Sequence, residues 1–202
     1  MTIVSKFSTI SEAEYLAGEQ LSDIKHEYID GHVYAMVGAH SNHNRLAGNI
    51  YTAFHVHLKA KPCQPYTSDM KVKTGSKYFY PDVMVDCTDV DGYFTETPTL
   101  IVEVLSKSTR QHDKTFKRDQ YIKIPTLQEY ILIEQDFVDV EIQRRSNGWQ
   151  SEHFYLDDVV TFESIGLQTT VSAIYDRVKN EDMLEWQAQK AEQSAEPEQL
   201  SE

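Results

Sequence analysis

Residues 80–87, YPDVMVDC, residues 98–106, PTLIVEVLS, and residues 107–121, KSTRQHDKTFKRDQY, decide the fold. The first two are apolar runs of strand length, and each carries one acid. Asp82 stands at the start of the first and Glu103 near the end of the second. Val83, Met84 and Val85 form a nearly unbroken apolar run, the pattern of a strand covered on both faces. Pro81 opens it, where a missing N–H costs least. Residues 99–105 are the most apolar strand of the chain, yet Glu103 interrupts them. Carboxylates are rarely buried without a partner, so Asp82 calls for an exposed position or a cation beside it. The plain reading of Glu103 is a salt bridge to a nearby lysine. The third run is a basic helix candidate, capped by Ser108 or Thr109 and stopped before Pro125. On it Asp113, Lys117 and Tyr121 recur every four residues and share a face; the plain reading of Asp113 and Lys117 is an i,i+4 ion pair.

Toward the N-terminus, Ser8 to Gln20 reads as a short helix with Ser11 and Glu14 at capping-box spacing. His26–Ile29 and Val33–Val37 flank Asp30-Gly31, a two-residue hairpin signal. Glu27 lies on the first of these strands and by itself reads as a solvent-facing charge. Ser41 to about Lys61 is a helix, with Leu46, Ile50, Phe54 and Leu58 recurring every four residues as one apolar stripe. His40 and His43 sit near its start without an acid at metal-ligand spacing; His43 is placed to touch phosphate or water. Cys63–Tyr66 and Asp69–Lys73 read as strands, the second with Lys71 and Lys73 on an outer basic face. The loop at Asp89 and Asp91 fails the calcium-loop pattern at its later positions.

Toward the C-terminus, residues 129–134 (EYILIE), 138–145 and 149–155 read as a meander turned at Asn147-Gly148. Residues 138–143 alternate strictly, Val138, Val140 and Ile142 against Asp139, Glu141 and Gln143. Val159–Phe162 reads as a short strand and residues 171–178 as an amphipathic helix. The expected domain is 1–179, followed by an acidic tail over 180–202 that is mobile or a frayed helix.

The chain has 202 residues, 40% of them apolar and 25% charged, the profile of a globular domain. No apolar run is long enough for a membrane-spanning helix, and the first residues do not resemble a signal peptide. A cytoplasmic protein is expected, with Cys63 and Cys87 as reduced core residues; they match no zinc spacing. The net charge of −13 argues against polyanion binding if spread evenly. It is not: residues 181–202 hold seven acids and one lysine, whereas residues 107–123 hold six basic residues against Asp113 and Asp119.

Helices interleaved with strands predict an α/β (α+β) fold, a mixed sheet flanked by helices. If the strands bearing Asp82 and Glu103 are neighbours, their carboxylates converge and call for a cation between them. Mg²⁺ or Mn²⁺ suits such an all-oxygen set, to which the Val104 carbonyl is the simplest addition.

The ordered set of these motifs, residues 26–39 (HEYIDGHVYAMVGA), the His43 helix, the PD strand, residues 103–121 and EYILIE, resembles the Uma-two family within the PD-(D/E)XK nuclease superfamily. The likeness runs from about Ser8 to Val178. It implies a restriction-endonuclease-like core, Mg²⁺-dependent cleavage of DNA phosphodiester bonds, and a homodimer. Leu105 stands where the superfamily pattern has a lysine. The resemblance transfers that role to Lys117 on the next helix and adds Glu27 to the site, giving catalytic candidates Asp82, Glu103, Lys117 and Glu27. Lys114 is the competing lysine, about 60° away around the helix. The alternative function is a non-catalytic nucleic-acid-binding or regulatory module that keeps the fold.

Overall fold

Leu46, Ile50, Phe54 and Leu58 are all buried, and the helix that carries them, α2 (Ser41–Leu58), covers one face of a six-stranded sheet. The computed structural model describes residues 9–195. The sheet runs in the order β11 (Ser151–Phe154), β10 (Val140–Arg144), β9 (Glu129–Glu134), β8 (Pro98–Leu105), β6 (Val83–Asp86), β3 (Gln64–Thr67). Only β8 and β9 are parallel; the other neighbours are antiparallel. Alternation sends Val83, Val85, Leu100, Val102 and Val104 toward α2. Met84, Ile101 and Leu105 face the other way. Glu103 and Asp82 share that second parity.

The second face is covered by helix α3, residues 110–121, and by a smaller sheet. That sheet orders β2 (His32–Ala35), β1 (His26–Ile29), β5 (Lys77–Phe79), β4 (Lys71–Thr74) and β7 (Phe94–Thr95). The expected hairpin forms, with Asp30 and Gly31 both at positive φ. Helix α1 (Glu12–Glu19) begins with the capping box of Ser11 and Glu14 and closes the outer side of this sheet through Tyr15, which packs with Tyr28 and Tyr78. Residues 80–82 carry the chain from the small sheet into the large one. β12 (Val159–Phe162) and β13 (Leu167–Thr170) form a hairpin, and α4 (Val171–Ile174) follows.

Several expectations need correction. Lys71 does not lie on an outer basic face but is buried, its ammonium donating to the Tyr80 hydroxyl at 3.2 Å. The polar residues of β10, which their alternation alone would set toward solvent, are buried: α3 supplies Lys114 and Arg118 as partners of Glu141 and Gln143, and His153 of β11 faces Asp139 at 2.9 Å. Cys63 and Cys87 form a disulfide rather than two thiols. The register explains why: Gln64 pairs with Asp86, which brings the residues just beyond, Cys63 and Cys87, opposite each other. From the C-terminal tail, α5 (Glu181–Ala195) is helical and begins on the core, with Met183 buried and the Asp182 carboxylate accepting from the Val138 N–H at 2.6 Å. The remainder of the tail lies outside the described residues. Among those residues, no helix is long and apolar enough to cross a membrane.

Candidate active site

The register of β6 against β8 builds the site. Val83 pairs with Val102 and Met84 with Ile101, so the next step along the chain sets Asp82 opposite Glu103. Directly opposed residues on one face of a sheet hold their Cβ atoms about 5 Å apart. The Val104 N–H donates to Asp82 Oδ2 at 2.7 Å and ties the start of β6 to β8. From α2, His43 Nε2 lies 3.3 Å from the same Asp82 oxygen. Burial alone would push the His43 imidazole down, but Asp82 and the Val104 backbone hold it above its usual value. His43 thus sits against two of the three groups expected to hold a cation.

Lys117 arrives from α3, and local helix geometry helps place it. The middle of α3, Asp113–Lys117, is a π-helical turn flanked by α-helical turns at Arg110–His112 and Arg118–Tyr121. The Arg118 N–H reaches back to the Asp113 carbonyl, the widened spacing that defines such a turn. The same carbonyl accepts from the buried Tyr130 hydroxyl of β9 at 3.0 Å, so the turn is pinned to the sheet. The Lys117 ammonium then sits 2.8 Å from Glu27 Oε1, 3.2 Å from Glu103 Oε1 and 3.6 Å from Asp113 Oδ1. Lys114 points elsewhere, its ammonium 3.1 Å from Glu141 Oε2.

Glu27 comes from the small sheet. Tyr28 points toward α1, so Glu27 on the opposite face points inward, and Glu27 Oε1 also accepts from the Tyr80 N–H at 3.3 Å. It is not the solvent-facing charge that its strand alone suggests. The Tyr121 hydroxyl donates to Glu103 Oε1 at 3.1 Å. The α3 face of Asp113, Lys117 and Tyr121 therefore closes over Glu103 as a unit.

The electrostatics of this cluster are unbalanced. Burial pushes the Glu103 carboxyl well above its ordinary range, and Lys117 only partly offsets this. Burial likewise raises Asp113. For Lys117, burial favours the neutral amine, but Glu103, Glu27 and Asp113 overcome it and hold the group well above the usual lysine value. Four carboxylates thus face one buried ammonium and His43. Glu27, Asp82, Glu103, Val104, Asp113 and His43 all line a single cleft of about 890 Å³. Lys117 lies behind this lining, buried by the carboxylates it holds.

Asp82, Glu103 and the Val104 carbonyl are hard oxygen donors, the chemistry that fits Mg²⁺ or Mn²⁺. Among the described residues, no three His, Cys, Asp or Glu side chains converge in metal-binding geometry. A cation here would rest on two side chains and a carbonyl, with its remaining positions open to the cleft. An ion there would favour the charged form of Glu103, which burial and the neighbouring carboxylates disfavour.

The four side chains expected from the sequence, Glu27, Asp82, Glu103 and Lys117, belong to one constellation. Two partners were not expected there. The spacing of Asp113 to Lys117 implies an i,i+4 ion pair, which the structure buries within the cluster. Tyr121 shared that helix face and carried the same signal. His43 was expected near phosphate or water, and its contact with Asp82 depends on how α2 docks.

A family model described as "Uma2: Putative restriction endonuclease" matches residues 12–172. The Synechocystis protein slr1290 is 35% identical over 176 residues, spanning 84% of this chain and 93% of that protein. A second Synechocystis protein, sll1609, is 37% identical over 142 residues, 67% of this chain and 80% of that protein. Among solved structures, that of "a putative nuclease belonging to DUF820" from Anabaena variabilis superposes with a TM-score of 0.71 at 18% identity. It covers 84% of this chain and 99% of its own. At that identity the match speaks for the fold.

Proposed function

The chain belongs to the Uma2 family, and from that premise we propose that it is a Mg²⁺- or Mn²⁺-dependent endonuclease that hydrolyses phosphodiester bonds of DNA. The observation that carries the proposal is Asp82 set opposite Glu103 at the wall of one cleft, with Glu27 and Lys117 joined to them. Asp82, Glu103 and the Val104 carbonyl would hold the cation. When bound, the cation supplies positive charge that polarises a phosphoryl oxygen and lowers the pKa of coordinated water.

The chain's own groups do the rest. Glu27 lines the cleft, is oriented by the Tyr80 N–H and Lys117, and is the carboxylate placed to accept the proton of an attacking water. Lys117 stays protonated at neutral pH. It serves as a fixed charge that orients Glu27 and Glu103 rather than as a base. Tyr121 holds the remaining freedom of Glu103. A binding module without chemistry gains nothing from an undercompensated carboxylate cluster at the base of a cleft, because each buried charge costs stability. Two copies, each with one such cleft, would cut both strands of a duplex; the homodimer remains part of the proposal.

The test is cleavage of plasmid DNA, with an RNA substrate in parallel, by the wild type and by Asp82→Asn and Glu103→Gln. The wild type should cut DNA only with Mg²⁺ or Mn²⁺. Each variant should lose about 10²-fold or more while melting as a folded protein. Undiminished cleavage by both variants would sink the assignment.

A further inference from the structure

Beside the acidic cleft lies a second pocket, of about 500 Å³, with the opposite character. Lys107, just after β8, and Lys179, just before α5, both line it and both are exposed. Neither has a carboxylate within ion-pair distance among the described residues, although the chain carries 32 acids against 19 Lys and Arg. Several other lysines are matched, as in the pairs Lys25–Asp69, Lys73–Glu12, Lys77–Asp30 and Lys190–Asp157. Among the described residues, Lys59, Lys61 and Lys123 are exposed without such a pair but do not share a pocket with a second lysine. The one acid of this pocket, Asp136, is answered by the Arg110 guanidinium at 3.2 Å.

The floor of the pocket holds two unsatisfied polar atoms. Asn180 and Gln135 are each only 8% exposed, and Asn180 Nδ2 and Gln135 Oε1 are buried without a hydrogen-bond partner. Such orphaned groups are rare and costly; a phosphate oxygen can accept from Asn180 Nδ2, whereas Gln135 Oε1 is itself an acceptor and calls for a bound water. The Asn180 amide cannot simply turn away, because its Oδ1 accepts from the Met183 N–H at the start of α5, which leaves Nδ2 as the free end. His40 adds a donor. Its Nδ1 accepts from the Asn42 N–H at the start of α2, so the neutral ring carries its proton on Nε2. Two lysines, an imidazole N–H and an amide N–H around one cavity are the chemistry of a phosphate site.

His40, Ser106, Ser108 and Gln135 line both this pocket and the acidic cleft, so a strand lying in one continues into the other. We propose that the Lys107–Lys179 pocket is a subsite for a backbone phosphate of the nucleic-acid strand whose neighbouring phosphate lies in the acidic cleft. The subsite rests on the nuclease reading for its substrate, but it is built from different residues.

The test is binding, not cleavage. A fluorescent 16-base-pair DNA duplex is titrated by anisotropy over a range of salt, with Ca²⁺ in place of Mg²⁺. The Lys107→Ala/Lys179→Ala variant should bind more weakly and lose about one from the slope of log K against log salt, the share of one phosphate. Asn180→Asp keeps the cap on Met183 but sets a carboxylate where the phosphate would lie, and it should weaken binding by about tenfold or more. Lys59→Ala/Lys123→Ala, which removes two exposed charges elsewhere, should leave the slope near wild type. Wild-type affinity and slope in both pocket variants would overturn the subsite, as would an equal loss in the Lys59/Lys123 control. An NMR titration with inorganic phosphate separates the sources: phosphate shifts at Asn180 with no oligonucleotide binding would overturn the nucleic-acid assignment. Pocket-dependent binding without any cleavage would sink the nuclease reading alone.

Discussion

The Lys117 ammonium lies 2.8 Å from Glu27 Oε1, a contact that joins the helix over the large sheet to the edge hairpin of the small one. Both side chains are almost wholly buried, and the same nitrogen serves Glu103 at 3.2 Å. One cation therefore ties β8 and the helix that follows it to a hairpin remote in the chain. What is done to it should be felt in both stability and chemistry.

Lys117→Met keeps the length of the side chain and removes its charge. Buried carboxylates left unpaired cost about 3–5 kcal/mol. Urea denaturation at neutral pH should show a loss of that order, and cleavage should fall with it. An unchanged midpoint would mean that Glu27 and Glu103 are not held by this ammonium.

Divalent metal should stabilise the folded chain. A ligand that binds only the native state at a hundred times its Kd adds about 2.7 kcal/mol. Thermal melts with Mg²⁺ against EDTA should show the rise in the wild type and not in Asp82→Asn or Glu103→Gln. A rise that persists in both variants would place the ion elsewhere.

Glu141 gives a pH signature away from the site. Burial would raise its carboxyl, but hydrogen bonds from Ser151 and Gln143 and the Lys114 ammonium hold it below its usual value. A carboxyl depressed on folding adds stability above its unfolded pKa of about 4.3, and that stability is lost as pH falls through the folded value. Glu141→Gln should therefore destabilise the protein at pH 7. Its deficit relative to wild type should narrow as pH drops from about 6 to 3. A deficit that does not change with pH contradicts the contact.

The Cys63–Cys87 disulfide, with a sequence separation of 24, closes the segment that contains Asp82. A loop of this size contributes about 3 kcal/mol through the unfolded chain. Dithiothreitol should lower the denaturation midpoint accordingly, and Cys63→Ala/Cys87→Ala should be insensitive to it. Two thiols that react freely with an alkylating agent in the unreduced protein would remove the bond.

Much of this was legible in the residues themselves. The period of Leu46, Ile50, Phe54 and Leu58 reported one buried helix face, and the apolar runs around Asp82 and Glu103 reported strands covered on both sides. A carboxylate inside such a run is expensive, which is why Glu103 stood out without any structure. Local signals also marked the Ser11 cap and the Asp30-Gly31 turn. Periodicity reports that a face is covered, but not by what. Glu27 and the polar side of β10 both read as solvent-facing, because the partners that bury them, Lys117 on one side and Lys114 with Arg118 on the other, come from a helix remote in sequence. The pairing of Cys63 with Cys87 follows from strand register, which no composition reveals. The sequence by itself marked Asp82 and Glu103, through the cost of burying charge, while Lys117 and Glu27 joined them only through the family resemblance. Only the tertiary structure, through register, the π turn of α3 and the docking of the small sheet, decided that they meet.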